Sequence, residues 1–149
     1  MTASKNDCAI RKATQSDLDG IKALADAHKH ELGFVLRPAL AKNIGKNQIF
    51  AAANGTGIIG FVDYHHRRDT QTTLYHIVVA PEWRQHGIGK KLVEALQAEA
   101  AERSKERILL KCPQGLPAND FYRKLGFKLG ATENGRRQKL NVWRFVLLG

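Results

Sequence analysis

Residues 72–92, TTLYHIVVAPEWRQHGIGKKL, constrain the fold more than any other stretch. The almost continuously apolar run before Pro81 reads as a strand buried on both faces, and a proline, lacking an amide proton, ends it. Beyond Gly87 and Gly89, the residues Ile88, Leu92, Val93, Leu96 and Ala100 fall on one helical face. RILLKC, 107–112, follows as the next strand, so the middle of the chain reads as strand, glycine turn, helix, strand.

The flanks supply the other elements. CAIRKA, 8–13, reads as a short strand, and Thr14 with Asp17 has capping-box spacing. Leu18, Ile21, Leu24, Ala25, His28 and Leu32 then predict a helix over 16–31. His28 and His30 in HKHE raise a metal reading, but residues two apart on a helix point to different faces, and no metal is expected. A second helix is expected from about Pro38. Two strands follow, joined at Asn54-Gly55, and the polar turn RRDTQ leads into the central run. Near the end, LPANDFYRKL predicts a short helix closed by a left-handed Gly126. Phe127 opens one more strand, and KLNVWRFVLL is the last. Hairpins mixed with two strand-helix-strand crossovers define an α/β class: a central mixed, mostly antiparallel sheet of about six to seven strands, helices on both faces. No linker interrupts 1–149, which reads as a single domain.

The formal net charge of +10 favours anionic partners. The basic residues are scattered, however, apart from Arg67-Arg68, Lys90-Lys91 and Arg136-Arg137, and no recognition-helix, zinc-finger or RNA-stacking motif accompanies them. MTASKNDC lacks the apolar stretch of a secretory leader, and no run approaches the roughly 20 apolar residues of a membrane span. A cytoplasmic protein without membrane contact is expected. Cys8 and Cys112 are far apart in sequence and have no metal-ligand spacing, so both read as reduced thiols.

Amides at a helix start have no partner within the helix, and the helix dipole adds positive charge there. An anion is the natural guest of the 83–92 stretch. A P-loop is excluded: Lys90 is followed by Lys91 where a hydroxyl residue is needed. The dinucleotide fingerprint finds Leu92 at its third glycine. What fits is R-x-x-G-x-G, Arg84 to Gly89, directly after a strand. Here the chain resembles the GNAT superfamily of acyl-CoA-dependent N-acyltransferases, and ANDFYRKLGF, 118–127, is similar to the fourth helix and following strand of that family. The close resemblance covers about 73–131.

The resemblance implies acetyl-CoA as cofactor. Its diphosphate would lie on the main chain of Arg84, Gln85, His86, Gly87, Ile88 and Gly89, with Lys90 or Lys91 nearby. The strand carrying Ile77, Val78 and Val79 would splay from ILLKC and hydrogen-bond the pantetheine arm. Tyr122 matches the position of the general acid that protonates the leaving thiolate; the plainer alternative is a half-buried aromatic anchoring its helix. Asn119 would contact the cofactor arm or cap its helix. An amine of pKa about 10.4 is neutral in about one molecule in 2,500 at pH 7, so a base is needed, and His76 is the candidate, with His65 and His66 as competitors.

The expected activity is transfer of an acetyl group to a primary amine by direct attack. The acceptor would be a small molecule, a peptide or an aminoacyl group, and the chain a monomer or homodimer. Glu31, Asp63 and Asp69 would suit a cationic acceptor; Arg37, Arg67 and Arg68 an anionic one. Two other readings remain: a basic nucleic-acid-binding protein, and a CoA-binding regulatory domain without catalysis.

Overall fold

Local capping starts the chain on its path. The strand β1 (Ala9–Lys12) leads to Thr14, whose N–H donates to Asp17 Oδ2 at 2.8 Å, closing the capping box. Arg11 grips the same carboxylate with both terminal nitrogens, at 2.7 and 3.1 Å. The Arg11 hydrogen bonds hold this nearly buried carboxyl down to about 2, against the desolvation that would raise it.

The computed structural model describes residues 8–147; the leader reading falls largely on residues 1–7, outside the described residues. After a short 3-10 turn come α1 (Leu18–Ala27), α2 (Lys29–Leu32) and α3 (Arg37–Gly45). The expected single helix over 16–31 is therefore divided. His28 leaves helical geometry at φ −121° and ψ 25°, and α2 stops at Gly33 with φ 75°. The apolar spacing continues through the break, and for this reason periodicity alone does not reveal it.

Strands β2 (Ile49–Asn54), β3 (Gly57–His66), β4 (Gln71–Val79), β5 (Arg107–Pro113), β6 (Lys128–Asn134) and β7 (Lys139–Val146) complete a seven-stranded sheet ordered β1-β2-β3-β4-β5-β7-β6. Pairing is antiparallel for β1-β2, β2-β3, β5-β7 and β6-β7, and parallel for β4-β5. This is the mixed, mostly antiparallel sheet expected. No helix among the described residues is long and apolar enough to cross a membrane.

The described chain forms two compact units, one of residues up to 65 with 76–96, the other of 66–75 with residues from 97 onward. In the first, Ile21 and Ala25 of α1 and Leu40 and Ile44 of α3 cluster with Ile49, Ala51, Phe61 and Val78. Neighbouring strand residues point to opposite faces. Gly60, next to Phe61, therefore faces the other way, where Leu92 of α4 (Ile88–Glu102) would lie 3.5 Å from a Cβ placed there. Helices thus cover both faces. That Cβ would also meet the Val78 carbonyl oxygen at 3.0 Å, so glycine is required for the close approach.

In the second unit, β7 lies between β5 and β6, pairing with both. Trp143 is buried there, and Phe127 packs against Tyr122 at 5.7 Å and Phe145 at 5.3 Å between ring centroids. The short helix α5 (Ala118–Lys124) precedes Gly126, whose φ of 96° is the left-handed closure expected. The central strand departs from expectation. Along β4 Thr72, Leu74 and Val78 are buried, but Tyr75 is half exposed, so it is not buried on both faces.

Candidate active site

The loop between β4 and α4 belongs to the first unit. Pro81 ends the strand in a 3-10 turn, Pro81–Trp83, and Gln85 and Gly87 then both adopt left-handed backbone, at φ 66° and 77°. A side chain in that region costs about 1–2 kcal/mol, so Gln85 marks strain stored in the turn. Its result is a fan of amides. The backbone N–H groups of 85–90 form no hydrogen bond with any described residue; the first amide satisfied in α4 is Lys91, bonded to Gly87 O at 3.0 Å. Ile88, Leu92, Val93 and Leu96, all buried, anchor the helix behind it.

Charge around the loop differs from the sequence expectation in one respect. Arg84 does not extend outward as an independent cation: its Nε donates to Val79 O at 2.9 Å, tying the loop to the end of β4. Lys90 and Lys91 are exposed beside the amides.

His76 lies on β4 with Nδ1 2.9 Å from Asp63 Oδ1. Asp63 is 3% exposed. A neutral His76 that donates Nδ1–H to this carboxylate carries its basic lone pair on Nε2, the arrangement in which a carboxylate orients a general base. Asp63, expected from the sequence to face a cationic acceptor, is instead buried and bonded to His76. Ala80 N–H donates to Ile59 O, and four residues back along each strand Asp63 stands opposite His76.

The competing histidines are otherwise engaged. His65 Nδ1 is 3.0 Å from Gln48 Oε1. In the second unit, His66 has Nδ1 2.8 Å from Thr72 Oγ1 and Nε2 2.8 Å from Glu99 Oε2, so both ring nitrogens are held. Burial pushes the His66 imidazole below its ordinary value, outweighing the opposite pull of Glu99. Of the acceptor-side charges, Arg67 and Asp69 pair with each other at 3.7 Å, and Arg37 pairs with Asp19.

Tyr122 and Asn119 lie in the second unit. Tyr122 is 5% exposed, and its hydroxyl forms no hydrogen bond to any described residue. Burial first, then neighbouring Cys112, pushes that hydroxyl far above the usual tyrosine value, so it is protonated at neutral pH. The Cys112 thiol is itself pushed up by burial to about 11 and is no nucleophile.

Asn119 corrects an expectation. Its Nδ2 donates to the carbonyls of Pro113, Gln114 and Leu116 at 2.8–3.2 Å, and its Oδ1 accepts from Asn141 Nδ2 and Trp143 Nε1 at 3.0 and 2.8 Å. No polar capacity on the side chain is left for a cofactor arm. Pro117, not Asn119, occupies the N-cap of α5.

A strand, a strained turn with unpartnered amides and an anchored helix follow one another here. A model of the acetyltransferase (GNAT) domain matches residues 45–129, more than half of the chain, which therefore belongs to the GNAT family. Among proteins of curated function, none matches it by sequence. Solved structures with a similar fold include Ard1 from Thermoplasma volcanium, 16% identical, TM-score 0.85, covering 95% of this chain and 99% of that one. The ribosomal-protein-alanine N-acetyltransferase from Brucella melitensis is 23% identical, TM-score 0.78, covering 93% and 99%. The PaiA N-acetyltransferase from Thermoplasma acidophilum, solved with coenzyme A, is 19% identical, TM-score 0.78, covering 93% and 98%.

Proposed function

We propose that residues 1–149 form one catalytic domain that transfers an acetyl group from acetyl-CoA to a primary amine by direct attack, without an acyl-enzyme. The carrying observation is the run of amides at 85–90 with no partner among the described residues. Six adjacent N–H donors at a helix start, with Lys90 and Lys91 beside them, match the oxygens and charge of a diphosphate. The main chain of Ile77–Val79 then receives the pantetheine arm.

His76 Nε2 takes the proton that the attacking amine must lose, and Asp63 stabilises the imidazolium that results. Tyr122 returns a proton to the departing thiolate; the residue is buried as a whole, and its hydroxyl, with no hydrogen-bond partner among the described residues, is available for that role. The acceptor is read as an α-amino group on a protein or peptide, since the similar Brucella fold belongs to a ribosomal-protein-alanine N-acetyltransferase.

Gly89→Val tests the loop assignment. Gly89 sits within α4 without left-handed backbone, so a Cβ there needs no strained φ, and valine adds bulk beside the amides. CoA at about 100 times its Kd should stabilise the wild-type chain by about 2.7 kcal/mol and the variant hardly at all. Equal stabilisation of both, read by thermal unfolding, would remove the loop from cofactor binding.

A further inference from the structure

The break between α1 and α2 brings His28 and His30, which a continuous helix would point to different faces, together around Glu31. With Ala27 ending α1 and His28 outside helical geometry, ligand atoms of His28, His30 and Glu31 all lie within 4.8 Å of one another. Glu31 Oε1 is 3.6 Å from His28 Nδ1 and 3.2 Å from His30 Nε2. His28 is not on the helix that carries His30, so the two rings are not held to different helical faces.

His28 carries the second observation. Its side chain is 8% exposed, and Nδ1 is the one buried side-chain nitrogen or oxygen among the described residues with no hydrogen-bond partner. Buried polar atoms are nearly always satisfied, and one left bare in a cluster of ligand atoms indicates a missing partner. Glu31 is too far away to be that partner by hydrogen bonding.

We propose that His28, His30 and Glu31 form a site for a divalent transition-metal cation of the zinc type, with water in the remaining position. Bonds of about 2.0–2.2 Å in tetrahedral geometry separate neighbouring ligand atoms by about 3.3 Å, close to the two Glu31 distances, while exposed His30 is free to adjust. Two imidazoles and one carboxylate favour zinc, cobalt, nickel or copper over magnesium or calcium, which prefer all-oxygen shells. The backbone holds the break in place without metal: Glu31 and Leu32 N–H donate to His28 O at 2.9 and 3.0 Å. The cation would therefore pin an existing hinge, and the site is independent of the acetyl-transfer reading.

The test uses the full chain and the metals themselves. Competition of Zn²⁺ against a chromophoric chelator should give one ion per chain, and Co²⁺ should show the strong visible absorption of tetrahedral coordination. His30→Ala and Glu31→Gln, both at solvent-accessible positions, should each weaken Zn²⁺ binding at least about tenfold, abolish the Co²⁺ band and leave the metal-free circular dichroism unchanged. His65→Ala should bind as the wild type does. Failure of the wild-type chain to bind Zn²⁺, Co²⁺, Ni²⁺ or Cu²⁺ would overturn the proposal, as would binding unaltered by both substitutions.

Discussion

The hydroxyl of Tyr122 and the imidazole of His76 pose opposite problems. Tyr122 forms no hydrogen bond with the described residues, so removing its oxygen leaves no buried partner stranded. Tyr122→Phe should accordingly leave stability within about 0.5 kcal/mol and CoA affinity unchanged, while kcat falls roughly 10²- to 10⁴-fold. Steady-state kinetics beside thermal melts separate the two effects; full retained turnover would end the acid assignment. His76 works through a partner. His76→Gln should lower kcat by a similar factor, Asp63→Asn by less, and the double variant by no more than His76→Gln alone, because the carboxylate acts only through the ring. Losses that multiply would show that Asp63 has a separate role. His76 was legible in the sequence as a basic residue on the right strand. Asp63 was legible only as an acid, since its burial and its bond to His76 arise between strands, where no local pattern records them.

Among the elements, the entry to α1 rests on one carboxylate serving both as cap and as ion-pair partner. Its folded-state value is depressed to about 2, so Asp17 contributes stability that is present above its ordinary value near 4 and lost as pH falls toward 2. Asp17→Asn should cost about 1 kcal/mol at pH 7, after allowance for solvent around half-exposed Arg11, and progressively less as pH falls through about 2. Urea midpoints measured across that range test the sign. Capping spacing, the apolar face of α4 and the Gly126 closure were all readable, because each depends on residues within a turn or two of one another. The interruption at His28 was not: Leu24, His28 and Leu32 keep helical spacing across it. Nor were the two neighbours of β7, because strand order depends on contacts remote in sequence.

For the molecule as a whole, the net charge of +10 acts at long range on any polyanion. Exposed lysines and arginines would hold nucleic acid through counterion release, which salt suppresses steeply; the amides at 85–90, in the role proposed above, would hold a ligand at contact distance, which salt affects much less. Mobility shifts with RNA should therefore vanish by about 0.15 M salt, while CoA binding persists within a few-fold. Retention of RNA and loss of CoA in the same buffer would favour the nucleic-acid reading. The position of β7 has its own effect during synthesis. Residues 139–146 fill the place between β5 and β6, so neither strand can meet its β7 partner until the ribosome has released that segment. At roughly 5–20 residues per second, translation leaves both edges open for a second or more, the interval in which a nascent chain most needs a chaperone.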